Sequence, residues 1–92
     1  MSDLYSLSPS EIILYGVTWC GDCMRARRIF ANQGIKYTDI DIDKDLTAAE
    51  FVKIVNRGNR SVPTIIFPDG TTLTEPDNVT LVQKIQNCEK IA

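Results

Sequence analysis

An α/β domain of order β-α-β-α-β-β-α, with a four-stranded mixed sheet and three helices, is what this 92-residue sequence predicts. Three observations carry that expectation. The run Ile12-Ile13-Leu14-Tyr15 is short, β-rich and continuously apolar, the pattern of a central strand buried on both faces. Two stretches with apolar residues at helical spacing follow it, separated by a half-regular alternation, as in a parallel strand–helix–strand crossover. The turn Pro68-Asp69-Gly70 then joins two further short β-rich runs, as in an antiparallel hairpin.

Residues 1–10 are polar with scattered Leu4, Tyr5 and Leu7 and read as a lead-in to one domain over residues 11–92. This segment has neither a basic region nor a continuous apolar stretch, so it is not expected to be a signal peptide. The first strand, within residues 11–17, runs directly into Thr18-Trp19-Cys20-Gly21-Asp22-Cys23. The first helix is expected from Gly21 to Gln33, with Ala26, Ile29 and Phe30 inward, Gly34 as its C-cap, and Arg25, Arg27 and Arg28 on a solvated face. Arg25 is close enough in sequence to Cys20 to be considered as a support for its thiolate. A second strand lies within residues 35–43, where Tyr37, Ile40 and Ile42 alternate with Thr38, Asp39 and Asp41. Asp39, Asp41, Asp43 and Asp45 lack the loop Gly and terminal Glu of an EF-hand, and read as a solvated strand end.

Thr47-Ala48-Ala49-Glu50 has the form of a capping box and is expected to open the second helix, with Ala48, Phe51, Val52 and Val55 on one face and a stop near Arg57-Gly58. Ser61-Val62-Pro63 leads into a third strand, Thr64-Ile65-Ile66-Phe67, whose first positions tolerate proline. After the hairpin, Glu75-Pro76-Asp77-Asn78 offers two N-caps to a last helix with Leu81, Val82, Ile85 and Cys88 on its apolar stripe. A free cysteine on such a stripe is read as a small buried hydrophobe.

Composition narrows the function. A formal net charge of −2 leaves no basic footprint for nucleic acid. No apolar run approaches the length of a membrane helix, so a soluble, cytoplasmic protein with no membrane partner is expected. In that compartment thiols are kept reduced, and a C-x-x-C at a strand–helix junction reads as redox chemistry. A cysteine in the first turn of a helix faces unpaired N–H groups and the positive end of the helix dipole, which favour thiolate. Cys20 is therefore expected at the N-cap as the attacking sulfur, and Cys23, tucked behind it, as the resolving one. A zinc site would need four ligands, and the chain has no His and one further Cys, so no metal is expected. A structural bridge this short would close almost no loop and stabilise little.

From Ile12 to Cys88 the chain resembles the thioredoxin superfamily, and within it the glutaredoxin branch: Cys20-Gly21-Asp22-Cys23 follows the first strand, Ser61-Val62-Pro63 precedes the third, and the element order agrees. Asn59-Arg60-Ser61-Val62-Pro63-Thr64, with Phe67-Pro68-Asp69-Gly70 and Glu75-Pro76, is similar to the mycoredoxins of actinobacteria. The inner pair is Gly21-Asp22 where glutaredoxins commonly carry Pro-Tyr, no Lys precedes Cys20, and Thr74-Glu75-Pro76-Asp77 stands in place of their Gly-Gly-like turn.

The resemblance implies a thioredoxin fold, a cis bond at Val62-Pro63, and a thiol-disulfide oxidoreductase with Cys20 and Cys23 as catalytic residues. It makes Trp19, Gly21, Asp22, Arg60, Ser61, Val62, Pro63, Glu75 and Asp77 the candidates for substrate contact, the backbone of Val62 being the edge offered to the substrate. It also implies no bound cofactor, a low-molecular-weight thiol (glutathione or mycothiol) as co-substrate, disulfide-bonded or thiolated proteins as partners, and a monomer. Two alternatives belong to other classes. One is a thioredoxin-like electron donor recycled by a flavoprotein reductase, for which Trp19 speaks. The other is an iron-sulfur cluster protein, against which the second thiol, Cys23, counts.

Overall fold

The computed structural model describes the backbone of residues 6–91 and the side chains of residues 6–87. Strands β1 (Ile12–Gly16), β2 (Tyr37–Asp41), β3 (Thr64–Ile66) and β4 (Thr72–Thr74) alternate with helices α1 (Gly21–Gln33), α2 (Leu46–Val55) and α3 (Asn78–Ile91) in the expected order. The sheet order is β2-β1-β3-β4. β1 runs parallel to β2 and antiparallel to β3, and β3 pairs antiparallel with β4.

Two apolar layers explain why β1 carries no polar side chain. On one face Ile13, Tyr15, Val17 and Ile66 pack with Ala48, Ala49 and Val52 of α2. On the other, Ile12, Leu14 and Ile65 pack with Ala26 and Phe30 of α1 and with Leu81 and Ile85 of α3. A strand covered by helices on both sides must be apolar at every position, as β1 is. The sheet thus has α2 on one side and α1 with α3 on the other. This is the α/β arrangement of the thioredoxin fold, and it places the end of β1 and the start of α1 at one edge of the molecule.

Local signals account for most boundaries. α1 ends at Gly34, which takes the left-handed conformation (φ 66°) and donates its N–H to the carbonyls of Ala31 and Phe30. The hairpin closes through Gly70 N–H to the Phe67 carbonyl (2.9 Å) and Thr71 N–H to Asp69 Oδ1 (2.9 Å). The tip of this hairpin lies against the lead-in: a Cβ at Gly70 would sit 3.6 Å from Ser8 Oγ. Asp77 caps α3, accepting from Thr80 N–H at 2.8 Å.

The capping of α2 differs from expectation. Asp45, not Thr47, is the N-cap, accepting from Ala48 N–H at 3.0 Å, so Thr47 lies inside the first turn. Glu50 pairs with Lys53 (2.9 Å) instead of returning to a cap. The turn leaving β2 decides this. The N–H groups of Lys44 and Asp45 both bond the Asp41 carbonyl (3.1 Å each), and Asp43 N–H bonds Asp41 Oδ1 (2.9 Å), so the chain reaches helical geometry two residues early. α2 also ends early, at Val55, with Asn56 as C-cap and Arg57 at φ 58°. The expected burial of Cys88, and Leu4 and Tyr5 of the lead-in, lie outside the described side chains. Among the described residues no helix is long and apolar enough to cross a membrane.

Candidate active site

The loop leaving β1 turns the chain by two exposed residues, Thr18 and Trp19, and sets Cys20 at the N-cap of α1 in an extended conformation (φ −93°, ψ 121°). Its sulfur takes the place of the usual capping oxygen: Cys23 N–H donates to Cys20 Sγ at 3.3 Å. The Cys20 carbonyl meanwhile accepts from Met24 N–H at 3.1 Å, beginning the helical ladder. Cys20 is half-buried, with its sulfur at the positive end of the helix.

Cys23, one turn on, is fully buried (0%). Burial pushes its thiol up to about 12, against a lowering hydrogen bond with the Val17 backbone, while the nearby Cys20 adds to the rise and Arg27 opposes it. The two thiols are therefore unequal: one presented, the other dry and protonated. Gly16, at the end of β1, makes room for the second. A Cβ there would stand 2.9 Å from Cys23 Sγ and 3.2 Å from Arg27 Nη2.

The third wall is the segment before β3. The Val62-Pro63 bond is cis, and the Val62 carbonyl oxygen lies 3.9 Å from Cys20 Sγ. Thr64, wholly buried, anchors this segment by donating from Oγ1 to the Ser61 carbonyl (2.8 Å) and accepting from Asn56 Nδ2 (3.0 Å). The Asn56 amide also donates to Val52 O (2.9 Å) and accepts from Thr74 Oγ1 (2.7 Å), tying the end of α2 to β4 across the loop. Glu75 N–H closes the other side on the Pro63 carbonyl (2.8 Å), with Glu75 itself at φ 49°.

The remaining candidates fall into two groups beside the thiols. Trp19, 71% exposed, donates from Nε1 to Asp43 Oδ2 (2.8 Å), and Arg60 Nη2 donates to Asp43 Oδ1 (2.7 Å) and to the Ile42 carbonyl (3.2 Å). Arg60 and then Trp19 hold the Asp43 carboxyl below its ordinary value. Asp22 pairs instead with Arg25 (2.9 Å), so Arg25 is directed at that carboxylate and not at the Cys20 sulfur. Asp77 lies on the same side: hydrogen bonds with Thr80 lower its carboxyl, and the charge of Arg25 adds to this. Glu75 is exposed, with its backbone on Pro63. Gly21, exposed at the first position of α1, has open space beside it: an added Cβ would meet nothing within 4 Å.

Two residues of this site escaped the sequence. Asp43, read as part of a solvated acidic strand end, is the acceptor that brings Trp19 and Arg60 together; it is 24 residues from one and 17 from the other, beyond any local pattern. Arg27, placed on a solvated face, is half-buried: its Nε bonds Asp39 Oδ2 (2.7 Å), its Nη2 bonds Asp39 Oδ1 (3.3 Å), and its Nη1 bonds the Val17 carbonyl (3.2 Å). Helical spacing put it one turn after Cys23, but only the packing of β2 beside β1 supplies Asp39. Among the described residues no cluster of three or more metal-ligating side chains is present.

A presented sulfur on a helix N-terminus with a buried thiol behind it is an arrangement for disulfide exchange, and comparison with known proteins agrees. The glutaredoxin family model matches residues 12–71. A Mycobacterium tuberculosis protein named as a glutaredoxin is 46% identical over 67 residues, covering 73% of this chain and 80% of its own. Mycoredoxin 1 of Corynebacterium glutamicum is 39% identical over 77 residues, covering 84% and 95%. In fold, the holo form of glutaredoxin C1 from Populus tremula x tremuloides superposes with a TM-score of 0.66 at 22% identity, over 97% of this chain and 85% of that one. A glutaredoxin from Archaeoglobus fulgidus gives 0.67 at 24% identity, over 82% and 85%. The chain belongs to the glutaredoxin family, and is a disulfide oxidoreductase.

Proposed function

We propose that this protein exchanges disulfides through the Cys20-Gly21-Asp22-Cys23 dithiol, Cys20 attacking and Cys23 resolving, and that a low-molecular-weight thiol, mycothiol or glutathione, restores it. The observation that carries this reading is the inequality of the two sulfurs, with the presented Cys20 Sγ bonded by Cys23 N–H at 3.3 Å and Cys23 fully buried. The Cys20 thiolate attacks one sulfur of a target disulfide, whose S–S bond breaks as the other sulfur leaves with the electron pair. The resulting mixed disulfide has two exits. Cys23 can lose its proton, attack Cys20 and free the target as a thiolate, leaving a Cys20–Cys23 disulfide for two small thiols to reduce. Alternatively, one small thiol attacks the mixed disulfide and frees Cys20 directly.

The neighbouring groups would serve recognition. The Val62 backbone, held by Pro63 and Ser61, is the edge along which a substrate peptide would pair. Trp19 and Arg60, clamped by Asp43, bound one side, and Asp22 the other, with Glu75, Gly21 and Asp77 near the rim. Asp22 presents acceptor oxygens and a negative charge that Arg25 partly offsets. That charge suits a hydroxyl-rich, less anionic thiol ahead of glutathione with its two carboxylates, and the relative named mycoredoxin 1 favours the same choice.

The test pairs two variants with two substrates. Cys20→Ser is expected to abolish exchange with a mixed disulfide, whereas Cys23→Ser keeps the monothiol course; full activity in Cys20→Ser would sink the reading. Oxidised protein offered mycothiol, glutathione and a thioredoxin reductase separately should be reduced by a small thiol. Asp22→Tyr should then shift the ratio of rates toward glutathione, and an unchanged ratio assigns Asp22 to the helix terminus alone.

A further inference from the structure

Cys23 presents a difficulty for the exchange just proposed. A sulfur attacks as thiolate, yet this one is fully buried, with Gly16 of β1 beside it. The charged and titratable groups around it are few. On α1 itself they are Cys20, whose sulfur is neutral once it forms a mixed disulfide, and Arg27, one turn further along the same face. The residue after β1 contributes the Val17 backbone, and β2 contributes Asp39 and Tyr37, which reach Cys23 through Arg27. Arg27 is not free to move. Three hydrogen bonds, two to the Asp39 carboxylate and one to the Val17 carbonyl, fix its guanidinium under the end of β1.

Gly16 is the window between the two. Cys23 Sγ and Arg27 Nη2 both lie about 3 Å from the point where a Gly16 side chain would begin, so sulfur and cation are within about 6 Å of each other, with no side chain at that position to separate them. An opposite charge at that range in a dry site favours the ionised form of its neighbour.

We infer that Arg27 is the positioning residue of the resolving step: its guanidinium, held by Asp39 and Val17, stabilises the Cys23 thiolate that attacks the mixed disulfide on Cys20. In that step the Cys23 proton leaves to solvent and the Cys23 thiolate forms a bond to Cys20 Sγ. The bond between Cys20 and the substrate sulfur breaks, and the substrate departs as a thiolate with the electron pair. Arg27 keeps its proton throughout. Asp39 has two opposed effects, since it holds the guanidinium in place and its charge subtracts from the field that the sulfur feels. This inference rests on Cys23 being the resolving thiol, and it assigns to Arg27 a part in the dithiol exit only.

The experiment separates the two steps with an aromatic disulfide. Reduced protein is mixed with dithiobis(nitrobenzoate): attack by Cys20 releases one coloured thiolate on loading, and attack by Cys23 releases the second. Loading and second release are followed between pH 6 and 9 in wild type, Cys23→Ser, Arg27→Met, Arg27→Lys and Asp39→Asn. Arg27→Met is expected to load at the wild-type rate and release about tenfold more slowly, its pH profile displaced upward by about a unit. Arg27→Lys should recover most of the rate. Asp39→Asn, which keeps an acceptor for Arg27 but removes the opposing charge, should release faster than wild type. If Arg27→Met and Asp39→Asn are slowed alike, the pair is structural and the inference is wrong; equal release in Arg27→Met and wild type overturns it as well. Second release as slow in wild type as in Cys23→Ser would refute the resolving role of Cys23 itself, and the inference with it.

Discussion

Replacing Gly16 with alanine tests whether the space between the sheet and α1 is what holds the buried thiol in place. The added methyl would lie 2.9 Å from Cys23 Sγ, 3.1 Å from Leu14 Cδ2 and 3.2 Å from Arg27 Nη2, where ordinary contacts between such atoms need about 3.5–4.0 Å. All three neighbours are wedged: Cys23 and Leu14 are fully buried, and Arg27 is fixed by Asp39 and Val17. None can swing into solvent, so the strain must be taken up by separating α1 from β1. Overpacking of this kind costs about 1–3 kcal/mol. In a domain of this size each kcal/mol lowers Tm by roughly 4–8 °C, so the loss is easily read by thermal or urea unfolding. The displacement has a direction, pushing Cys23 away from the sheet, so second release in the aromatic disulfide assay should slow while loading at Cys20 changes little. Gly21→Ala is the matched control, because a methyl there meets nothing and should leave stability within about 0.5–1 kcal/mol of wild type or raise it. A Gly16→Ala protein as stable as wild type with unchanged release would refute the packing argument.

Two further predictions concern stability. Asp45→Ala should lose the α2 cap and about 0.5–2 kcal/mol, whereas Thr47→Ala should stay within about 0.5 kcal/mol, as urea midpoints will report; the opposite ranking would restore Thr47 as the cap. Cys23 makes stability depend on alkaline pH. Its folded pKa, about 12, lies above its ordinary value of 9.0, so below pH 9 the thiol is protonated in both states and contributes no slope. Between pH 9 and 12 the unfolded chain ionises first, and stability should fall by up to about 1.4 kcal/mol per pH unit. Burial raises Tyr37 too and adds a loss of the same sign above pH 10, so the decisive comparison is wild type against Cys23→Ser between pH 9 and 10. Equal slopes there would show that Cys23 is not held protonated.

Sequence by itself determined the elements and the place of the two cysteines at the start of α1, because the signals for both are local. The apolar run at β1, Gly34 at the end of α1, Pro68-Asp69-Gly70 in the hairpin and the position of Cys20 just before a helical repeat act within a few residues, where backbone geometry is decided. The limits are equally physical. Helical spacing says which face of α1 bears Arg27, but not that Asp39 of β2 will meet it; that follows from the parallel register of β1 and β2, in which Leu14 sits beside Asp39. Thr47 had the form of a cap and Asp45 read as part of a solvated strand end; the bonds to Asp41 at the end of β2 start the helix earlier and make Asp45 the cap. Gly16 looked like any residue at a strand end until α1 packed a sulfur and a guanidinium against it. Asp43 stood in an acidic run that reads as solvated, and became the link between Trp19 and Arg60 only when the α2–β3 loop folded back beside the redox turn. Local chemistry placed the two cysteines at the strand–helix junction on which the proposed exchange rests, while the charges and spaces around each come from chain segments brought together by the sheet.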